Sequence, residues 1–244
     1  MIATHWRLPD APLRASAVVT ALLALVVVIG IAEVARAVLP LGSLYAVKAG
    51  ATFATIMLWS FGFLRRHHPF ARFGAANQMT TVRAMLVALI AALFGEPRFP
   101  IVATAAAMTS LLASSLDGVD GWLARRQRLA SEFGARFDME IDALLILVLA
   151  VLVSQFDKAG AWVIVSGLLR YVFVAAGAYW QWLQAPLMPS RRRQTICVVQ
   201  ILALTIALLP AVEPPVSTML AAAALGSLTY SFLVDTVWLW RRAQ

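Results

Sequence analysis

Long apolar blocks alternate along the chain with short clusters of glycine, proline and charge. Many of the blocks reach the roughly 20 residues that a helix needs to cross a bilayer core about 30 Å thick. The pattern predicts eight hydrophobic helices, at about 15–39, 44–64, 80–95, 99–124, 135–155, 161–183, 194–212 and 216–240. The breaks carry turn chemistry: "LPLGS" at 39–43, "GEPRFP" at 95–100, "DKAG" at 157–160 and "VEPP" at 212–215. All are too short to be domain linkers. Between the second and third helices, "RRHHPFARFGAANQ" mixes basic residues with Phe70 and Phe73, so residues 65–79 read as an amphipathic segment in the headgroup layer.

Composition turns this pattern into a class. Of 244 residues, 61% are hydrophobic and only 13% charged, and the mean hydropathy is +0.82. The chain is therefore expected to be an all-α integral membrane protein, multi-pass, with no sizeable soluble domain. Cys197 is the single cysteine and can form no intrachain disulfide. The net charge of +8 does not point to nucleic acid, because no basic domain interleaved with aromatics is present to read bases. If the eight helices alternate, most arginines fall on one side, from Arg7 and Arg14 to Arg241 and Arg242. The other side holds Arg36, Lys48, Arg98 and Lys158. That bias places both termini in the cytoplasm. The sequence "ARA" at 35–37 is similar to a signal-peptide cleavage site, but the apolar run at 15–32 is longer than a usual signal core, so the first helix is expected to be retained.

The chemistry is concentrated in "SSLDGVDGWLARRQRLASEFGARFDMEID", residues 114–142. Asp117 and Asp120 are three apart near the end of the fourth helix, and Asp138 and Asp142 are four apart at the start of the fifth. Each pair shares a helix face. Four carboxylates beside a low-dielectric slab repel one another unless cations neutralise them, since even one Asp at a helix centre costs about 2.5–3.5 kcal/mol on insertion scales. All-oxygen ligands without His or Cys favour Mg²⁺ or Mn²⁺, and four carboxylates suit two ions. Gly118, Gly121, Ala124 and Gly134 leave space between these helices for close packing or for a flat ligand.

The stretch resembles the signature of the CDP-alcohol phosphatidyltransferases, D-x2-D-G-x2-A-R-x8-G-x3-D-x3-D. Asp117, Asp120, Gly121, Ala124, Arg125, Gly134, Asp138 and Asp142 match every fixed position. Upstream, Asn77, Thr80 and Arg83 are similar to the N-x-x-T-x-x-R that opens the first core helix in many members. The resemblance implies a six-helix catalytic core over residues 80–244, with two additional transmembrane helices in residues 1–64. It implies transfer of a phosphatidyl group from a CDP-linked lipid such as CDP-diacylglycerol to a small alcohol, with release of CMP at the cytoplasmic face of a bacterial inner membrane. By the same resemblance, Asp117, Asp120, Asp138 and Asp142 form the metal centre, and Asp142 is the base that takes the proton of the attacking hydroxyl. The resemblance further implies that Asn77, Thr80, Gly121, Ala124, Arg125 and Gly134 contact the CDP moiety, and since members of the family are often dimers, a homodimer is expected.

The acceptor is less directly written. Arg170 sits inside an apolar helix, where a charge is a functional hypothesis, and Arg191, Arg192 and Arg193 form a basic triplet. The G-K-x-K-T pattern of many relatives is absent there. Because arginine binds phosphate through a planar fork of donors, these residues suit a phosphorylated acceptor such as glycerol 3-phosphate. The alternative from another class is an ion or metal transporter using the Asp cluster. It requires carboxylates near the bilayer midplane, whereas these lie beside Arg125, Arg126 and Arg128 at a helix end.

Overall fold

The computed structural model describes residues 11–67, 73–127, 131–188 and 190–243, and the described residues contain eight α-helices and no strand. They are α1 (Ala11–Val38), α2 (Tyr45–His67), α3 (Ala75–Ala91), α4 (Pro100–Gln127), α5 (Glu132–Gln155), α6 (Val165–Tyr179), α7 (Arg191–Leu208) and α8 (Val216–Ala243). Four described stretches are helical and both long and apolar enough to cross a membrane: Pro12–Val38, Pro100–Asp117, Ala161–Tyr179 and Val216–Ala243.

Several boundaries differ from the sequence reading by a few residues, and two of the differences bear on the fold. Helix α2 runs on to His67 and α3 starts at Ala75, so both ends of the expected interfacial segment are helical. Phe73, expected among headgroups, is buried against Phe133, which stacks in turn on Phe137. Burying an aromatic ring outweighs leaving it at an interface when a partner ring is in reach. The sixth helix, read as continuous over 161–183, is instead an α-helix flanked by 3-10 turns at Ala161–Ile164 and Gln181–Gln184, with extended backbone at Trp180. His68, Phe70 and the rest of 68–72 lie outside the described residues, as do the side chains of His67 and of 118–130.

The chain divides into two compact units. The first comprises the chain up to Val102 together with Met108–Asp142. Within it α1, α2 and α3 pack on one another. Glu96, buried just after α3, accepts a hydrogen bond from the Gly42 backbone N–H (2.5 Å) and pairs with Lys48, whose Nζ also donates to the Phe94 carbonyl (3.1 Å). Tyr45 donates its hydroxyl proton to the Leu89 carbonyl (2.9 Å). Buried backbone acceptors and a buried carboxylate are thereby satisfied, which fastens α1 and α2 to α3.

The second unit comprises Ala103–Ala107 and Ala143–Gln244. Here α7 packs along α8. Lys158 reaches the Val212 carbonyl (3.0 Å) and Glu213 (2.9 Å), while Ser217 donates to the Lys158 carbonyl (2.6 Å). That network ties the α5–α6 connection to the α7–α8 turn.

Candidate active site

The site is built from α3, α4 and α5 of the first unit. Gly74 opens α3 at φ 80°, ψ 151°, a conformation that costs side-chain-bearing residues and suits glycine. The turn it makes lets Phe73 bury itself and sends α3 off with Asn77, Thr80 and Arg83 all buried on a largely apolar helix. Asn77 donates from Nδ2 to the Phe73 carbonyl (2.5 Å), and Thr80 donates to Ala76 (3.2 Å).

Helix α5 has its own start signal. The Ser131 hydroxyl accepts the Gly134 N–H (3.1 Å), as an N-cap does, and Glu132 in the first turn suits the positive end of the helix dipole. Gly134 is needed for a close approach: a Cβ there would stand 2.9 Å from Asn77 Oδ1. The glycine that was expected to leave room for a ligand faces the Asn77 carboxamide, so α3 and α5 meet at this point.

With α3 and α5 so placed, the carboxylates converge. Each of Asp117, Asp138 and Asp142 offers an oxygen within 4.8 Å of those of the other two. Their side chains are partly exposed, at 36%, 34% and 21%. At the centre lies the Arg83 guanidinium, 1% exposed. Its Nη1 is 2.9 Å from Asp117 Oδ1 and also pairs with Asp138 Oδ1, its Nη2 pairs with Asp142 Oδ1, and its Nε donates to the Ala113 carbonyl on α4 (3.2 Å). Among the described residues, one guanidinium faces three carboxylates. Carboxylate oxygens in this number, with no nitrogen or sulfur donor among the described members of the group, fit a hard divalent cation. The cluster can hold a metal ion.

Comparison with known proteins places this geometry. Residues 73–234 match the family described as CDP-alcohol phosphatidyltransferase. The chain belongs to that family. The CDP-alcohol phosphatidyltransferase match begins at Phe73, the residue that seats α3, and takes in every residue of the site. The chain is also similar to a curated protein of Bacillus subtilis (strain 168), named CDP-diacylglycerol–glycerol-3-phosphate 3-phosphatidyltransferase. The two are 29% identical over 104 residues, covering 38% of this chain and 54% of the relative. The chain thus spans about half the length of that relative. No solved structure matches it.

The structure brings together some of the residues read from sequence and leaves others apart. Asp117, Asp138 and Asp142 meet, and Asn77 meets Gly134. The backbones of Asp120, Gly121, Ala124 and Arg125 are helical in α4, but their side chains lie outside the described residues. In the second unit, Arg192 donates to Ser231 O and Oγ (both 2.8 Å) and to Asp235 (2.5 Å), and Arg193 lies 3.5 Å from Asp235 and bonds the Met188 carbonyl. Arg191 is exposed and Arg170 half-buried.

Two residues acquire roles that the sequence reading missed. Arg83 was counted with the arginines of one side and read as the last residue of the N-x-x-T-x-x-R pattern, with no partner assigned, and it is buried at the heart of the carboxylates. Its position on the N-x-x-T-x-x-R face, well inside an apolar helix, was the available signal. Asp235 was not weighed at all, although a lone acid in a membrane helix asks for a partner.

Proposed function

We propose that the protein transfers a phosphatidyl group from CDP-diacylglycerol to an alcohol, releasing CMP, as a step in phospholipid biosynthesis. The observation that carries this reading is the convergence of three signature carboxylates from two successive helices on one point, within a chain of this family. In the reaction the acceptor hydroxyl oxygen forms a new bond to the phosphorus that bears the diacylglycerol. The bond from that phosphorus to the bridging pyrophosphate oxygen breaks, and CMP leaves with the electron pair.

Asp117, Asp120 and Asp138 would hold Mg²⁺ or Mn²⁺, two ions in all, with Asp142 at the edge of the set. Bound there, the metal neutralises charge on the pyrophosphate and makes the phosphorus more electrophilic. Asp142 is the least exposed of the three described carboxylates, which suits a base that takes the hydroxyl proton away from bulk water. Asn77, Thr80, Gly121, Ala124, Arg125 and Gly134 would shape the surroundings of the CDP moiety.

For the acceptor we favour glycerol 3-phosphate, with phosphatidylglycerophosphate as product. The arginines of α6 and α7 support a phosphorylated acceptor, and the partly covered Bacillus subtilis relative is named for that substrate. Arg170, Arg191, Arg192 and Arg193 are the candidate acceptor-binding residues on this reading. The same reading gives a six-helix core with two added N-terminal membrane helices, in a homodimer whose active site faces the cytoplasm at a bacterial inner membrane.

The test is incubation of purified protein with CDP-diacylglycerol, Mg²⁺ or Mn²⁺ and a panel of alcohols, reading CMP release and lipid mass. Metal-dependent CMP formation with glycerol 3-phosphate supports the full reading. Preference for serine, choline or another unphosphorylated alcohol sinks the acceptor but not the reaction. Absence of CMP with every acceptor, in a protein that moves Mn²⁺ into vesicles, would favour a transporter.

A further inference from the structure

Arg83 is the cation that the fold itself supplies to the carboxylates. It sits on α3, outside the two helices that bear the aspartates, and it is held at two levels. Its Nε is anchored to the Ala113 carbonyl, and the fork beyond it reaches Oδ1 of Asp117, Asp138 and Asp142. In all three carboxylates the atom engaged by the guanidinium is Oδ1, and each of the three residues also offers an oxygen to the shared point where a cation could sit. A planar fork with several donors is suited to holding carboxylates apart at fixed positions, and a buried guanidinium has no water to fall back on.

We propose that Arg83 is a resident counter-cation that competes with divalent metal for these carboxylates and thereby sets how tightly the site binds metal. The inference rests on reading the triad as a metal site, and it assigns Arg83 a positioning role exercised through the carboxylates. Without metal, Arg83 keeps three acids from repelling one another and the helices stay seated. When metal enters, the guanidinium gives up part of its pairing, and binding is weaker by that loss. The opposite assignment, in which Arg83 orients the acids for metal, makes the contrary forecast.

The experiment uses the full chain in detergent with no CDP-lipid present, titrated with Mn²⁺ and read by electron paramagnetic resonance of the free ion. In Arg83→Gln the Mn²⁺ dissociation constant should fall roughly tenfold, the scale of one charge-assisted hydrogen bond removed from competition. In Arg83→Lys, whose point charge cannot fork across Asp138 and Asp142, it should fall by less. Arg83→Gln should also melt below the parent in EDTA, and saturating Mn²⁺ should close that gap. Unchanged or weaker Mn²⁺ binding in the variants would overturn the inference, and Arg83→Lys decides the matter if Arg83→Gln does not fold. Absence of Mn²⁺ binding in parent and variants alike also overturns it. Because no donor lipid is present, a parent that releases no CMP yet shows these affinity changes would lose the proposed reaction and keep this role for Arg83.

Discussion

Arg83 in the first unit and Arg192 in the second both reach from one helix to acids on another, yet their charge balance differs. Arg192 meets one carboxylate, Asp235, and two oxygens of Ser231, and Arg193 shares the same acid. Positive charge there matches or exceeds negative charge, so the cluster asks for nothing further and serves to fasten α7 to α8. Among the described residues Arg83 faces three carboxylates, more negative charge than its own single positive charge balances. A fold can satisfy every hydrogen bond in both places and still leave an electrostatic deficit in one. A deficit of this kind is where an added cation would stabilise the protein.

The sharpest way to break this contrast is to remove charge from each side in turn. Asp142→Asn should lower turnover on the order of 10³-fold, as loss of a general base does, while nucleotide binding measured by equilibrium dialysis persists. Asp117→Asn and Asp138→Asn should weaken metal and nucleotide binding together. Equal loss of binding in all three would show that the roles are divided wrongly. Excess EDTA should abolish CMP release in the parent.

Asp235→Ala should act on stability instead. Stranding Arg192 and Arg193 costs about 1.5–3 kcal/mol for the charged hydrogen bonds, visible as a lower melting temperature with Mn²⁺ affinity unchanged. Adding Arg192→Met should recover part of the loss. A change in metal affinity would mean that the two clusters are coupled. Gly134→Ala should cost about 1–3 kcal/mol through the collision with Asn77, and Asn77→Ala in the same chain should relieve it, a non-additivity that a double-mutant cycle detects. The smallest effect belongs to Arg191→Ala. This exposed residue should raise the acceptor KM a few-fold and leave the CDP-lipid KM alone, since water screens its charge. Unchanged acceptor kinetics would remove Arg191 from the acceptor site.

Most of the helices were legible because a membrane segment must satisfy its backbone internally and cover itself with apolar side chains, so both demands are written locally. The eight predicted segments correspond to the eight helices, and the errors fall where long-range contacts override local pattern. Phe73 looked interfacial until Phe133 was beside it. The sixth helix looked continuous through Trp180, where the backbone instead turns extended.

The candidate site divides along the same line. Its carboxylates were readable from spacing alone, since i, i+3 and i, i+4 positions share a helix face whatever surrounds them. Nothing local says which cation stands among them. Arg83 is separated from Asp138 and Asp142 by 55 and 59 residues, and the N-x-x-T-x-x-R pattern that includes it names no partner. Asn77 and Gly134 are matched in the same way, as is Arg192 with Asp235. By itself the sequence determined the helices, the family signature and the acids, because periodicity and fixed spacing act within a few turns. Only the tertiary structure decided which charges meet, because helix packing sets distances between residues far apart in the chain, and the energy of a buried charge depends on those distances.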